Sequence, residues 1–413
     1  MSITLIYHLF GIRAKYKYIR HEYKKGAIYF TIERPLDACR CVHCGSKQIR
    51  SRGKKERILR NVPVPQGSVR IGRKRTYIKV RLKRLECLEC GKILQEEIPF
   101  ADRKKSYTRA FARYVLDLSR EMSIKALAEH LSVSWDLIKE IQKHHLKKKY
   151  RKLKAKRLRF LAIDEISTHK GHKYLTTVMD LESGAVVYVG RGRKSSSLDG
   201  FWRRLGRYKK NIEAVAMDMW PAYIDAVTRH LPNAKIIHDH FHIVRMFNEK
   251  LSELRRKLYR ETNDLMKKEV LKGTRWLLLK NSSNLDEKKN EKQRLEEALR
   301  LNKPLATAYY LKEELHLFWK LENVEEAKKF LGDWCKRAIA SGIVILKKIA
   351  HTLLAYRSGL FNYFQYRIST GPLEGMNNKI KVLKRKMYGF RDFEFFMLKI
   401  LDLHNHNIDL KGT

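Results

Sequence analysis

Two hydrophobic rhythms alternate along the chain. "VRIGRKRTYIKVRLKRLEC", Val69 to Cys87, alternates apolar and basic residues with the period of a strand. From Ser106 to Lys149 the apolar positions recur at helical spacing. "SYTRAFARYVLDLSREM" reads as one helix. "SIKALAEHLSVSWDLIKEIQKHH" reads as two more, with Ser123 and Ser134 as N-caps. Ala126, Leu127, Leu131, Val133, Leu137, Ile138 and Ile141 fall together as a small core. This is the pattern of a tri-helical helix-turn-helix whose recognition helix starts at Ser134, with Trp135, Lys139 and Lys143 on its exposed face.

After Arg157 the strand rhythm returns. "RFLAIDEIST", "HKYLTTVMDLES" and "AVVYVGRGR" read as a meander. "SSLDGFWRRLGRYKK" (helix), "IEAVAMDM" (strand), "WPAYIDAVTRHLP" (helix) and "AKIIHDHF" (strand) follow. The order β-β-β-α-β-α-β is that of a ribonuclease-H-like core. From Phe247 to Tyr366 the pattern is helical, with acids and bases interleaved as on solvated helix faces. Arg275 and Trp276, in "KGTRWLLLKN", read either as a DNA contact or as a helix end with a core tryptophan.

The strand period sorts the acids. Phe160, Ala162 and Asp164 share one face of the first core strand and Glu165 takes the other; Ala214, Ala216 and Asp218 share a face of the fourth. If these strands are parallel neighbours, Asp164 and Asp218 meet at one edge. Two carboxylates that close repel unless a cation lies between them, and two Mg²⁺ (or Mn²⁺) ions at such a pair suit in-line phosphodiester chemistry. Taken singly, each aspartate reads as a turn residue or a helix cap. Glu182, Glu213 and Asp225 look like turn or surface acids, so Glu374 is the candidate third carboxylate. Its helix carries an apolar stripe of Leu373, Met376, Ile380, Leu383 and Met387, beside which lie Glu374, Asn377, Asn378, Lys381 and Arg385. Lys384 and Arg385 are candidates to escort a DNA backbone. An acid in a first helical turn is also favoured by the helix dipole alone.

Composition narrows the partner. Lys plus Arg number 89 against 44 Asp plus Glu, a net charge of +45. That predicts a polyanionic partner, double-stranded DNA first, and the basic run "LKKKYRKLKAKRLR" reads as a phosphate track. No apolar run is long enough to span a bilayer, and "MSITLIYHLFGIRAKYKY" lacks the cleavage site of a signal peptide. Five of the six cysteines fall between Cys39 and Cys90. Cys41-x2-Cys44 and Cys87-x2-Cys90, each followed by Gly, make two knuckles for one structural Zn²⁺ in a ribbon with a basic outer face. Cys39 is the alternative to Cys41. Cys335 reads as a core thiol.

"AIDE", "AVAMDMWPAYIDAV", "HDHFHIVR" and "STGPLEGMNNKIKVLKRKMYGFRDFEFF" together resemble the insertion-sequence transposases of the ISL-three family. The knuckles, "KALAEHLSVSWDLIKEI" and "KGTRWLLLKN" resemble the same family, from about Cys41 to His404. The resemblance implies that Asp164, Asp218 and Glu374 are a DDE triad. It implies that Asp239 and His242, in a D-x-F-H segment, support it; Asn378 and Lys381, on the helix edge of Glu374, are supporting candidates from their position. It further implies binding to terminal inverted repeats, cleavage at the element's ends and joining of 3′-hydroxyl ends to target DNA. A homodimer or higher oligomer on DNA and a bacterial, cytoplasmic, nucleoid-associated location follow from that work.

The expected architecture is multidomain α+β. An N-terminal segment (1–30) precedes a zinc ribbon (31–102), a helix-turn-helix (103–150) and a basic linker (151–158). A ribonuclease-H-like α/β core (159–246 and 367–413) is interrupted by an all-helical insertion (247–366). Two other functions remain open from sequence: a DNA-binding regulator with an inactive core, and a nuclease or resolvase that cuts without joining.

Overall fold

The computed structural model describes residues 10, 12, 15–65, 73–169, 173–387 and 391–404. Most of the apolar start, the 66–72 part of the alternating stretch and the "YGF" at 388–390 lie outside them. The described chain is mixed α/β and divides into two compact units, residues 1–149 and 150–413. No helix among the described residues is long and apolar enough to cross a membrane.

The first unit is built on a five-stranded sheet. Strands β1 (Lys17–Lys24), β2 (Ala27–Glu33), β3 (Ile49–Pro65) and β4 (Arg73–Cys87) lie in the order β1-β2-β4-β3, and β5 (Ile93–Gln95) pairs with β4. Ile28, Phe30 and Ile32 of β2 meet Ile78, Val80 and Leu82 of β4 on one face, where they form a core. On the opposite face several of the cations are paired: Lys79 with Glu22, Arg81 with Glu56, and Lys83 and Lys54 both with Glu33.

Helices α1 (Arg109–Leu118), α2 (Ile124–Leu131) and α3 (Trp135–Lys149) complete this unit. Ser123 caps α2 by accepting from the Ala126 amide, and Ser134 accepts from that of Leu137. Leu127, Leu131, Ile138 and Ile141 form the core as expected, but Ala128 is buried where Ala126 is only half-buried. The sheet and the helices are joined by a buried arginine. Arg60 of β3 donates to the carbonyl of Leu131, at the end of α2, at 3.0 Å. Its guanidinium lies over the rings of Tyr77 and Phe111. Beside it the Thr108 hydroxyl donates to Asn61 at 2.7 Å.

The second unit holds a five-stranded sheet in the order β10-β9-β6-β7-β8. Its strands are β6 (Phe160–His169), β7 (Lys173–Asp180), β8 (Val186–Arg191), β9 (Ala214–Met217) and β10 (Lys235–His238). Helix α4 (Asp199–Leu205) lies between β8 and β9, and α5 (Pro221–His230) between β9 and β10, which is the element order expected from sequence. β6, β7 and β8 are antiparallel neighbours, whereas β9 is parallel to β6 and β10 parallel to β9. Leu161, Ile163, Val215 and Met217 pack under α4 and α5. Ala162, Ile166 and Ala216 point the other way.

Eight helices then run from α6 (His240–Glu261) to α13 (Arg357–Tyr366). The six between are α7 (Leu265–Gly273), α8 (Arg275–Leu279), α9 (Glu291–Leu301), α10 (Lys303–Phe318), α11 (Val324–Ala340) and α12 (Val344–Ala355). They share one core around Phe247, Trp334 and Phe318, and Cys335 is buried in it. α6 runs unbroken through the boundary expected at 246/247, so one helix reaches from the sheet edge into the helical array. α13 returns to the sheet. Asn362 donates to the Ile236 carbonyl of β10 at 2.8 Å, and His238 packs edge-on against Tyr356. A Cβ at Gly359 would collide with the His238 ring. Finally α14 (Gly371–Lys386) and α15 (Phe393–Asp402) cover the second sheet face, through Leu373, Met376 and Ile380 and through Phe396 and Ile400.

Candidate active site

Parallel register brings the two aspartates together. Ile163 pairs with Met217 across β6 and β9, so the next residue on each strand is Asp164 and Asp218. Each lies two positions after an alanine, Ala162 or Ala216, and so falls on the same face, the one that α14 covers. Asp164, Asp218 and His242 each offer a ligand atom, and these atoms lie within 4.8 Å of one another.

The third member comes from the start of α6. Asp239 caps that helix by accepting from the Phe241 amide at 3.1 Å. One turn on, His242 Nδ1 lies 2.5 Å from Asp218 and 2.9 Å from Asp239. Burial pulls the imidazole pKa down, but its bonds to the two carboxylates outweigh that and raise it to about 10. Burial would likewise raise Asp239; bonds from His242 and from the buried Thr370 hydroxyl, just before α14, hold it below the usual carboxylate range. His238 is buried, with its pKa pushed down to about 4, and stands outside the group.

α14 reaches Asp164 through Asn377, whose Nδ2 donates to Oδ2 at 2.6 Å. The Glu165 amide donates to Oδ1 at 2.7 Å. Even so, burial and then the charge of Asp218 push the Asp164 carboxyl up to about 6. Glu374 lies one turn before Asn377, exposed, and is not part of the three-residue group. Asn378 is exposed and its Oδ1 lies 3.4 Å from Lys381 Nζ. Lys384 is half-buried and Arg385 exposed. Glu182 and Glu213 both pair with Arg159, and Asp225 with Arg229, so none of these acids joins the site.

The donor set fits a hard divalent cation. Two carboxylates converge, one of them raised by burial and by the charge of the other, and Asn377 Oδ1 beside them is buried with no protein partner. Sequence reasoning placed Asn377 beside Glu374 but took its neighbour Asn378 as the supporting residue, and did not find Thr370. Helical spacing puts both Asn377 and Asn378, three and four residues after Glu374, on its side of the helix and does not choose between them.

A second donor set lies in the first unit. The sulfurs of Cys41, Cys44, Cys87 and Cys90 all lie within 4.8 Å of one another. Cys41 is 3.7 Å from Cys90 and Cys44 3.5 Å from Cys87. Zn–S bonds of about 2.3 Å in a tetrahedron space thiolates about 3.8 Å apart. Each knuckle closes on a glycine with positive φ, Gly45 at 79° and Gly91 at 67°. The amides of Cys44 and His43 pull the Cys41 thiol down to about 6. Cys39 instead donates to the Pro35 carbonyl, so the set contains Cys41 rather than Cys39.

The proposed DNA contacts are scattered. Trp135 is 53% exposed at the start of α3, with Lys139 Nζ 5.4 Å from its ring centre; Lys143 is half-buried. Trp276 is 65% exposed and carries Arg275 over its ring, which removes the reading of a core tryptophan.

Comparison with known proteins places the chain in a family. The ISL3 DDE transposase domain, described as "Transposase", matches residues 161–400. The "Helix-turn-helix domain of transposase family ISL3" matches 96–146. The transposase for insertion sequence element IS1001 of Bordetella parapertussis is 32% identical over 365 residues, 87% of each chain. The transposase for IS1557 of Mycobacterium tuberculosis is 27% identical, over 94% of this chain and 91% of its own. A Drosophila P element transposase strand transfer complex covers 72% of this chain and 91% of that one at 11% identity, but its TM-score of 0.40 is too low to support an inference. With one family match spanning more than half its length, and a relative 32% identical over 87% of each chain, the chain belongs to the ISL3 family of insertion-sequence transposases.

Proposed function

We propose that this chain cuts DNA at the ends of its own insertion sequence and joins the freed 3′-hydroxyl ends to target DNA. The observation that carries the reading is the parallel β6–β9 register, which delivers Asp164 and Asp218 to one edge. On this reading the sheet of the second unit with α14 and α15 is a ribonuclease-H-like core, interrupted by the helices between. Asp164, Asp218 and Glu374 are the DDE carboxylates that hold two Mg²⁺ or Mn²⁺ ions. Bound there, the ions supply Lewis-acid polarisation of the scissile phosphate and a lowered pKa for the attacking hydroxyl.

The protein's own groups do the positioning. Asn377 and the Glu165 amide fix both oxygens of Asp164. Asp239, anchored on Thr370, aims His242 at Asp218. Lys381, Lys384 and Arg385 escort the DNA backbone along α14. The four-cysteine site holds Zn²⁺ and stiffens the first unit, whose helix α3 presents Trp135, Lys139 and Lys143 to the terminal repeats. Arg275 and Trp276 offer a further DNA contact. Bringing two DNA ends together calls for a dimer or higher oligomer.

The test is a nicking assay on the DNA that flanks the reading frame, with and without Mg²⁺. Metal-dependent 3′-hydroxyl ends that vanish in Glu374→Gln support the reading. Unaltered DNA under either metal would leave a DNA-binding regulator. Pre-cut ends that are never joined to target DNA would leave a nuclease or resolvase.

A further inference from the structure

Next to the acid group stands a stack of side chains with no part in the reading above. Arg193, just past β8, holds its guanidinium 4.5 Å from the centre of the Tyr174 ring and 5.2 Å from that of Trp220. Trp220 is the second residue after Asp218 and opens α5. Its Nε1 donates to the Arg193 carbonyl at 3.2 Å, yet the residue is 39% exposed. Arg193 also stands 3.7 Å from Glu165, the neighbour of Asp164.

An indole left accessible offers a broad flat surface for contact with a ligand. Here two aromatic rings hold an arginine still while one ring stays open to solvent. A rigid guanidinium matches a phosphate, and an open indole face matches a nucleobase. A DNA strand whose phosphate reaches Asp164 and Asp218 must lead its neighbouring nucleotides past this edge.

We propose that Trp220 is the stacking platform for the unpaired nucleotide adjoining the scissile phosphate, and that Arg193 holds the phosphate of that nucleotide. The proposal rests on the reading of Asp164 and Asp218 as the cleavage site. Stacking tolerates any base, because every base has a π-face. The nucleotide it suits is therefore the first one of the flank, which changes with each insertion, rather than the fixed end of the element.

The experiment uses the full chain and a duplex of the element's own end with its flank. 2-Aminopurine replaces the first flanking base, and Ca²⁺ replaces Mg²⁺ so that binding is read without cutting. The fluorescence changes on binding to the unaltered protein, does not change with Trp220→Ala, and is restored with Trp220→Phe. In Mg²⁺, Trp220→Ala cuts about ten- to hundredfold more slowly, in kcat rather than KM, and Trp220→Phe cuts nearly as fast as the parent. A fluorescence change that survives Trp220→Ala overturns the proposal. So does a Trp220→Phe variant as impaired as Trp220→Ala, which would assign the indole to its bond with the Arg193 carbonyl. The binding signal does not need cleavage: a chain that never cuts refutes the active-site reading, while the fluorescence still decides the platform.

Discussion

Asn377 donates from Nδ2 to Oδ2 of Asp164 across 2.6 Å, joining residues 213 positions apart in sequence. That bond fixes which side of α14 meets the sheet, and so where Glu374, one turn earlier, stands. Asn377 is a positioning residue, and Glu374 an exposed acid whose structural share is at most its small helix-dipole interaction.

The two should therefore separate in experiment. Glu374→Gln is expected to leave the melting temperature unchanged and to abolish cleavage, a loss of at least about a hundredfold. Asn377→Ala is expected to keep measurable cleavage while lowering stability by about 1–2 kcal/mol, through the lost charge-assisted bond. Thermal melts and a cleavage gel run on both variants check this. Equal activity in Glu374→Gln and the parent would remove the acid from the site.

The Asp164 carboxyl carries a cost in stability. Its pKa rises on folding from 3.8 to about 6, so the folded chain holds that proton more tightly than the unfolded chain. The penalty is absent below the unfolded value, grows as pH climbs between the two, and is complete above the folded one. A shift of that size is worth at most about 3 kcal/mol. Asp164→Asn, with no added divalent cation, should thus be more stable than the parent by about 1–3 kcal/mol at neutral pH. It should match the parent in acid and be inactive throughout. Asn377 Oδ1, which has no protein partner, can accept from the new amide. Melting curves across the pH range decide it, and a neutral-pH loss of stability would contradict the assignment.

Zinc should be a folding element of the first unit as a whole. The sheet is tied to the helices by Arg60 on the Leu131 carbonyl and Thr108 on Asn61. Chelation, or Cys87→Ser, should raise hydrogen exchange in α1–α3 as well as around the knuckles, although no helix carries a ligand. Metal analysis should return one zinc per chain. Exchange confined to the knuckles would show that the helices stand independently of the metal.

On DNA, the α3 residues should divide by chemistry. Lys139→Ala should weaken binding to all sequences alike and reduce the salt dependence by about one unit of slope. Trp135→Ala should weaken binding to the terminal repeat more than to random duplex. Titrations at several salt concentrations measure both, and an unchanged slope in Lys139→Ala would remove that residue from the phosphate contacts.

Much of this was legible in sequence because it is periodic. Period two along β6 and β9 put Asp164 and Asp218 on matching faces, and the spacing of Leu373, Met376 and Ile380 set the buried side of α14. The CxxC-Gly repeats and the serine caps are local signals of the same kind. What stayed hidden depends on partners distant in the chain. The alternating cations of β4 read as a basic face because the acids that pair with several of them, Glu22, Glu33 and Glu56, come from three other strands. Asn377 and Asn378 are neighbours about 100° apart around a helix, and only the docked sheet selects between them. Trp276 lies at a helix start whose pattern gives no sign of which side faces solvent.

The return of α13 to β10 bears on how this chain avoids aggregation. Among the described residues β10 is the last strand of its sheet, and no strand pairs with it on the side away from β9. An open edge of that kind recruits the edges of other molecules. Here the Asn362 amide occupies the Ile236 carbonyl, while Gly359 is bare enough for its helix to press on His238. The helices that separate Asp218 from Glu374 in sequence thus also serve as a guard rail. A shortened chain that spliced β10 directly to α14 would keep every proposed catalytic carboxylate and gain a sticky margin.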